Sequence, residues 1–226
     1  MGILEQRDVC ANDLDSINRA TARLLGSLDQ LTDADIRRPS LLPGWSIGHC
    51  LTHIARNADG IGNLVTWAVT GTPTPMYESM DVRNADIEAG ASRSAQSHRD
   101  DVRTSSEKLA RAFEALLAAD DSALDTLVLF GAPPANTPPD TPVWQVPYAR
   151  LREVMIHHAD LGLPDFSFAD FDDVFVQRTL SFIESRAGST DVHGPASDLL
   201  AWRLGRTNPA TLRDGEGNPP GPPPAW

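Results

Sequence analysis

Glu153 and His157 stand four residues apart and Asp160 follows three further on, so on a helix their side chains fall along one face. His49 and His53 repeat the four-residue spacing elsewhere in the chain. Two imidazoles and one carboxylate suit zinc, and three protein ligands leave a fourth position for water or substrate, as a catalytic site needs. The same set suits non-haem iron as a facial triad, so the pattern does not choose the metal. Such spacing also arises on a charged, solvated helix face, and a lone helical histidine is usually hydrogen-bonded structure. What favours a metal is two such pairs on two helices, the way bundle-core sites draw ligands from facing helices. Asp160 and His158 are the neighbours that could close or support the site. Asp160 is the better aligned, since His158 is turned about 100° from His157 on a helix, and it is expected to orient a ligand from outside. Cys50, three residues before His53, reads as a packing residue rather than a nucleophile or ligand. His98 and His193 have no aligned partner and read as surface residues.

The elements must bring these residues together. Val9, Leu14, Ile17, Ala20, Leu24 and Leu28 make the stripe of a first helix over about 4–28. After the breaker-rich run from Pro39 to Gly44, Ser46 is placed to cap a second helix reaching about Val69, with His49 and His53 in its first turns. Beyond a loop holding Pro73 and Pro75, the stretch from about 82 to 119 reads as a third helix interrupted near Gly90. Residues 131–142 hold five prolines and can be neither helix interior nor central strand. Pro147 opens a fourth helix that carries Glu153 and His157 and ends before Gly162 and Pro164. The expected fold is mainly α, a four-helix bundle over residues 1–165. A small domain over 166–226 follows, with a Phe-rich segment, a helix to about Arg186, a short helix over about 195–204, and a Gly- and Pro-rich tail ending in Trp226.

Against 31 acidic residues the 226-residue chain sets 19 Lys and Arg, a formal charge of -12 that repels phosphate backbones and anionic lipid. Nucleic acid and membrane are therefore excluded as expected partners. No basic start leads into an apolar run and no segment approaches the ~20 apolar residues of a bilayer span, so a soluble, cytoplasmic protein is expected. Two cysteines without a Cys-x-x-Cys pair fit a reducing compartment. There is no phosphate loop or dinucleotide fingerprint.

These residues resemble a known family, the mycothiol-dependent maleylpyruvate isomerases of the DinB-like metal-dependent superfamily. The likeness lies in Leu42-Pro43-Gly44-Trp45-Ser46 followed by His49 and His53, in Thr74-Pro75-Met76-Tyr77 followed by Arg83-Asn84, and in Arg152-Glu153-Val154 with His157 and Asp160-Leu161-Gly162. It implies a DinB-like bundle in which His53, Glu153 and His157 bind zinc, with His49 and Asp160 in supporting roles. It further implies that mycothiol, a low-molecular-weight thiol, adds to the cis double bond of maleylpyruvate and leaves after rotation, giving fumarylpyruvate. A dianionic substrate needs cationic anchors. Arg206 matches an arginine of the family's C-terminal domain and is the expected catalytic cation, with Arg83 and Tyr77 as substrate-binding candidates. The family's C-terminal α/β domain has several strands between its two helices, whereas here about ten residues separate Ser185 from Pro195, too few for strands of the usual ~5–6 residues. A reduced C-terminal domain is therefore expected, and with it two alternatives: a mycothiol S-transferase acting on another electrophile, or a non-catalytic metal-binding bundle. The assembly is expected to be a monomer or small homo-oligomer.

Overall fold

A computed structural model describes residues 2–132, 134, 136–206 and 210–224. Pro133 of the proline-rich segment and the terminal Trp226 lie outside the described residues. The chain is mainly helical: α1 (Ile3–Leu28), α2 (Asp33–Ile36), α3 (Ile47–Thr70), α4 (Met80–Gly90), α5 (Ala95–Ala118), α6 (Asp121–Leu124), the strands β1 (Leu127–Val128) and β2 (Thr141–Pro142), α7 (Val146–Asp160), α8 (Asp173–Ala187), β3 (Val192–His193), α9 (Ala196–Arg203) and β4 (Arg213–Asp214). Two compact units result, one of Met1–Ser40 with Gly44–His157, the other of Leu41–Pro43 with His158–Trp226.

In the first unit α3 packs chiefly on α5, and α1 on α5. The predicted stripes are the ones that go inside: Leu14, Ile17, Leu24 and Leu28 of α1, Ile47, Leu51, Ile54, Ile61 and Leu64 of α3, and Leu109, Phe113 and Leu116 of α5 are all buried. Ser46 caps α3 as expected, its hydroxyl accepting from His49 N, and Gly71 closes that helix in the left-handed region at φ 71°. The interruption of the third helix is real: α4 ends at Gly90 and α5 restarts after its own cap, Ser94. Strands β1 and β2 pair antiparallel, Leu127 opposite Pro142, so a two-residue ladder joins the two ends of the proline-rich segment.

In the second unit Phe166, Phe168, Phe171 and Phe175 form a chain of ring contacts, and His158 stacks on Phe166 at 4.0 Å. The short segment before α9 does supply a strand: β3 pairs with β4 from the Gly- and Pro-rich tail, Val192 opposite Asp214. A minimal two-stranded sheet thus forms where the spacing between helices left no room for a larger one.

Candidate metal centre

The cap on Ser46 fixes where α3 begins, and so places His53 two turns along it, on the buried side. From α7 come Glu153 and His157, four apart on one face. Nε2 of His53 lies 2.9 Å from Glu153 Oε2, and His157 Nε2 lies 3.7 Å from the same oxygen. One donor atom from each residue falls within 4.8 Å of the others, and among the described residues no other trio of His, Cys, Asp and Glu comes together in this way. Ligands about 2.1 Å from a tetrahedral ion stand about 3.4 Å apart. These two separations bracket that value and the third pair lies within 4.8 Å, so the donor set suits a zinc-sized cation.

The hydrogen bonds fix the protons. Arg83 Nη2 donates to His53 Nδ1 at 2.8 Å, and a guanidinium has no lone pair to give back. Nδ1 is therefore the acceptor, and the ring proton on Nε2 is donated to Glu153 Oε2. A metal on Nε2 needs that proton on Nδ1, facing the Arg83 donor. Cation binding at His53 and the Arg83 contact exclude each other.

Burial pushes His53 toward its neutral form, against the pull of Glu153. Burial alone would raise the Glu153 carboxyl. The hydrogen bond from His53, the neighbouring imidazoles of His53 and His157 and the positive charge of Arg150 together outweigh it and hold the group well below the usual carboxylate range. The site thus keeps an anion and a neutral imidazole ready, the protonation states a divalent metal requires.

A family model described as the mycothiol maleylpyruvate isomerase N-terminal domain matches residues 17–162. The chain belongs to this family. That match contains His53, Glu153 and His157 together with Arg83 and Tyr77, while Arg206 lies beyond it. Among solved structures, the mycothiol-dependent maleylpyruvate isomerase aligns with a TM-score of 0.83 at 25% identity, over 96% of this chain and 97% of that one. A histidine-to-alanine variant of the same isomerase aligns at 0.82 with the same identity and coverage. No curated protein matches the chain.

Within this isomerase-family fold the other expected residues find specific partners. Tyr77 lies under Arg83, whose guanidinium carbon is 5.7 Å from the ring centroid, and burial pushes the phenol pKa up. The Thr74–Tyr77 segment reaches this place because α3 offers it Gly60: a Cβ there would come within 2.8 Å of Tyr77 and 3.0 Å of Met76. Asn63 Nδ2 also donates to Pro75 O at 3.2 Å. His49 is drawn into the cap, its Nδ1 accepting from Ser46 N at 3.1 Å and its Nε2 donating to Glu88 at 3.1 Å. Gly44-Trp45-Ser46-Ile47-Gly48 spells the nucleophile-elbow pattern, but Ser46 caps a helix here instead of projecting from a strand-to-helix turn. Asp160 accepts from Arg206 Nε and Nη2, both at 2.9 Å, a bidentate pair within the second unit. His193 is exposed beside Asp191, whereas His98, expected at the surface, is buried on α5. The helical face carrying His98 packs inward with Val102 and Ser105, a periodicity that its lack of a histidine partner obscured.

Asn57 and Arg150 were not singled out from the sequence. Each lies within a helical step of a metal-site residue, Asn57 four after His53 and Arg150 three before Glu153. Arg150 Nη1 donates to Asn57 Oδ1 and Ile54 O, both at 2.8 Å, tying α7 to α3 directly behind the cluster.

Proposed function

We propose that this protein is a zinc- and mycothiol-dependent isomerase converting maleylpyruvate to fumarylpyruvate. The observation that carries the reading is the fold match to the mycothiol-dependent maleylpyruvate isomerase over nearly the whole of both chains, around a cluster whose donor set suits a catalytic metal. His53, Glu153 and His157 would hold the ion, which supplies a charge that keeps a bound thiol as thiolate at neutral pH. Glu153 stays ionised through its hydrogen bond with His53. Arg83, once released from His53, is a cation for a substrate carboxylate, with the Tyr77 phenol beside it. Arg206 is proposed as a catalytic cation on family resemblance alone; its Nε and Nη2 are held by Asp160. The place of action in this reading is the cytoplasm, as a monomer or small homo-oligomer.

The S-transferase alternative was motivated by the short stretch between Ser185 and Pro195. With 97% of the solved isomerase aligned, that shortness no longer separates the two proteins. Metal analysis followed by assay of maleylpyruvate conversion, with and without mycothiol, tests the proposal. One equivalent of zinc and strictly thiol-dependent conversion are expected. His53→Ala should lose the metal and at least about 100-fold in rate, the upper range for disturbing even an outer partner of a ligand. No conversion by the zinc-loaded protein overturns the reading; zinc bound without an exchangeable water points to the non-catalytic bundle instead.

A further inference from the structure

A second cluster, distinct from the metal ligands, lies on the far side of Arg150. Its side chain is 1% exposed, and among the described residues no carboxylate lies within ion-pair distance of it. Burial lowers its pKa only to about 10, so it stays a cation at neutral pH. One edge of the guanidinium is used, Nη1 holding Ile54 O and Asn57 Oδ1. The other edge is not: Nε has no hydrogen-bond partner, and Nη2 has only a long one, 3.4 Å to Ser106 Oγ. That Nε–Nη2 edge is one a carboxylate can engage with two parallel hydrogen bonds.

Arg150 lines a cavity of about 220 Å³ between α1 and α5. Thr21 Oγ1, also on the cavity, is a second buried polar atom without a partner. Most remaining walls are apolar, among them Leu25, Leu109 and Phe113. Apolar walls with a few converging polar groups are the usual make-up of a small-molecule site, and a cavity of about 150 Å³ already accepts a benzene ring. Arg103 and Glu107, both exposed on α5, also line it and oppose each other in charge.

We propose that this cavity binds a small carboxylate with a compact apolar body, the carboxylate on the Nε–Nη2 edge of Arg150 and the Thr21 hydroxyl, the body against Leu25, Leu109 and Phe113. The site lies apart from the three metal-site side chains and shares with them only the charge of Arg150, which also helps hold Glu153 ionised.

The probe is 4-fluorobenzoate, followed by fluorine NMR on the full-length protein, with backbone amide shifts locating it. Saturable binding is expected, with shifts at Thr21–Leu25 and Ser106–Ala110. Thr21→Val should weaken it about fivefold, the worth of one hydrogen bond. Ala22→Phe, which fills the cavity from an exposed lining position, should abolish it, and neither change requires replacing the buried arginine. Glu107→Gln should tighten binding by about threefold, by removing an exposed like charge. The neutral 4-fluorobenzamide should bind at least tenfold more weakly. Equal binding of the amide, equal competition by inorganic phosphate, retention in Ala22→Phe, or shifts centred on His53 and His157 would each overturn the proposal, as would no saturable binding.

Discussion

A guanidinium only donates, so the 2.8 Å contact of Arg83 Nη2 with His53 Nδ1 makes this arginine a competitor of any cation at His53. Arg83→Met should therefore tighten zinc binding by roughly tenfold, the worth of one charged hydrogen bond, measured by competition with a chelator at fixed pH. Nitrogen NMR of the metal-stripped wild type should show Nδ1 of His53 unprotonated and Nε2 protonated. A proton found on Nδ1 would remove the basis of the competition. At this scale the sequence reading was partial. The four-residue step from Glu153 to His157 could be seen directly, because both lie on one helix. The choice between His49 and His53 could not, since it depends on which of them the cap at Ser46 absorbs and which reaches a helix a hundred residues away. The link from Arg83 to His53 spans two helices and leaves no trace in local spacing.

Elements meet at glycines that read as mere weak points in a helical pattern. Gly48 of α3 has the Ala91 carbonyl where a Cβ would stand, 2.0 Å away, and Gly60 admits Met76 and Tyr77. Gly48→Ala should cost about 1–3 kcal/mol, the range for overpacking a filled site, by forcing the chain after α4 away from α3. Urea denaturation checks this, and a change under about 0.5 kcal/mol would show that the approach is not constrained. Gly60→Ala should cost a similar amount and also displace Tyr77 from Arg83, read as a change in tyrosine fluorescence. Helix limits were legible where caps and breakers are local, as at Ser46, which starts α3, and near Gly90, where α4 ends. The ladder of β3 with β4 was not, because two-residue strands carry no periodicity and their pairing bridges the whole of α9.

For the whole molecule the buried His98 sets an acid limit. Burial, with the charge of Arg93 adding to it against Asp101, pushes its folded pKa down to about 4 from an ordinary 6.5. Between these values the unfolded chain binds more protons than the folded one, so stability is intact above about pH 6.5 and falls as the pH drops toward 4. Lowering the pH from 7 to 5 should cost about 2 kcal/mol through this residue alone. His98→Gln should remove that part of the difference between denaturation curves at the two pH values; an unchanged difference would place the acid sensitivity elsewhere. The same burial governs both cysteines. Cys10 is 1% exposed and Cys50 0%, and burial pushes the Cys10 thiol up to about 12. A protein proposed to work with a free thiol thus exposes none of its own, and while folded it cannot be trapped as a mixed disulfide with that thiol's oxidised form. Alkylating reagents can reach Cys10 and Cys50 only when α1 and α3 lift from the core, which turns the rate of thiol labelling into a clock for the opening of the bundle.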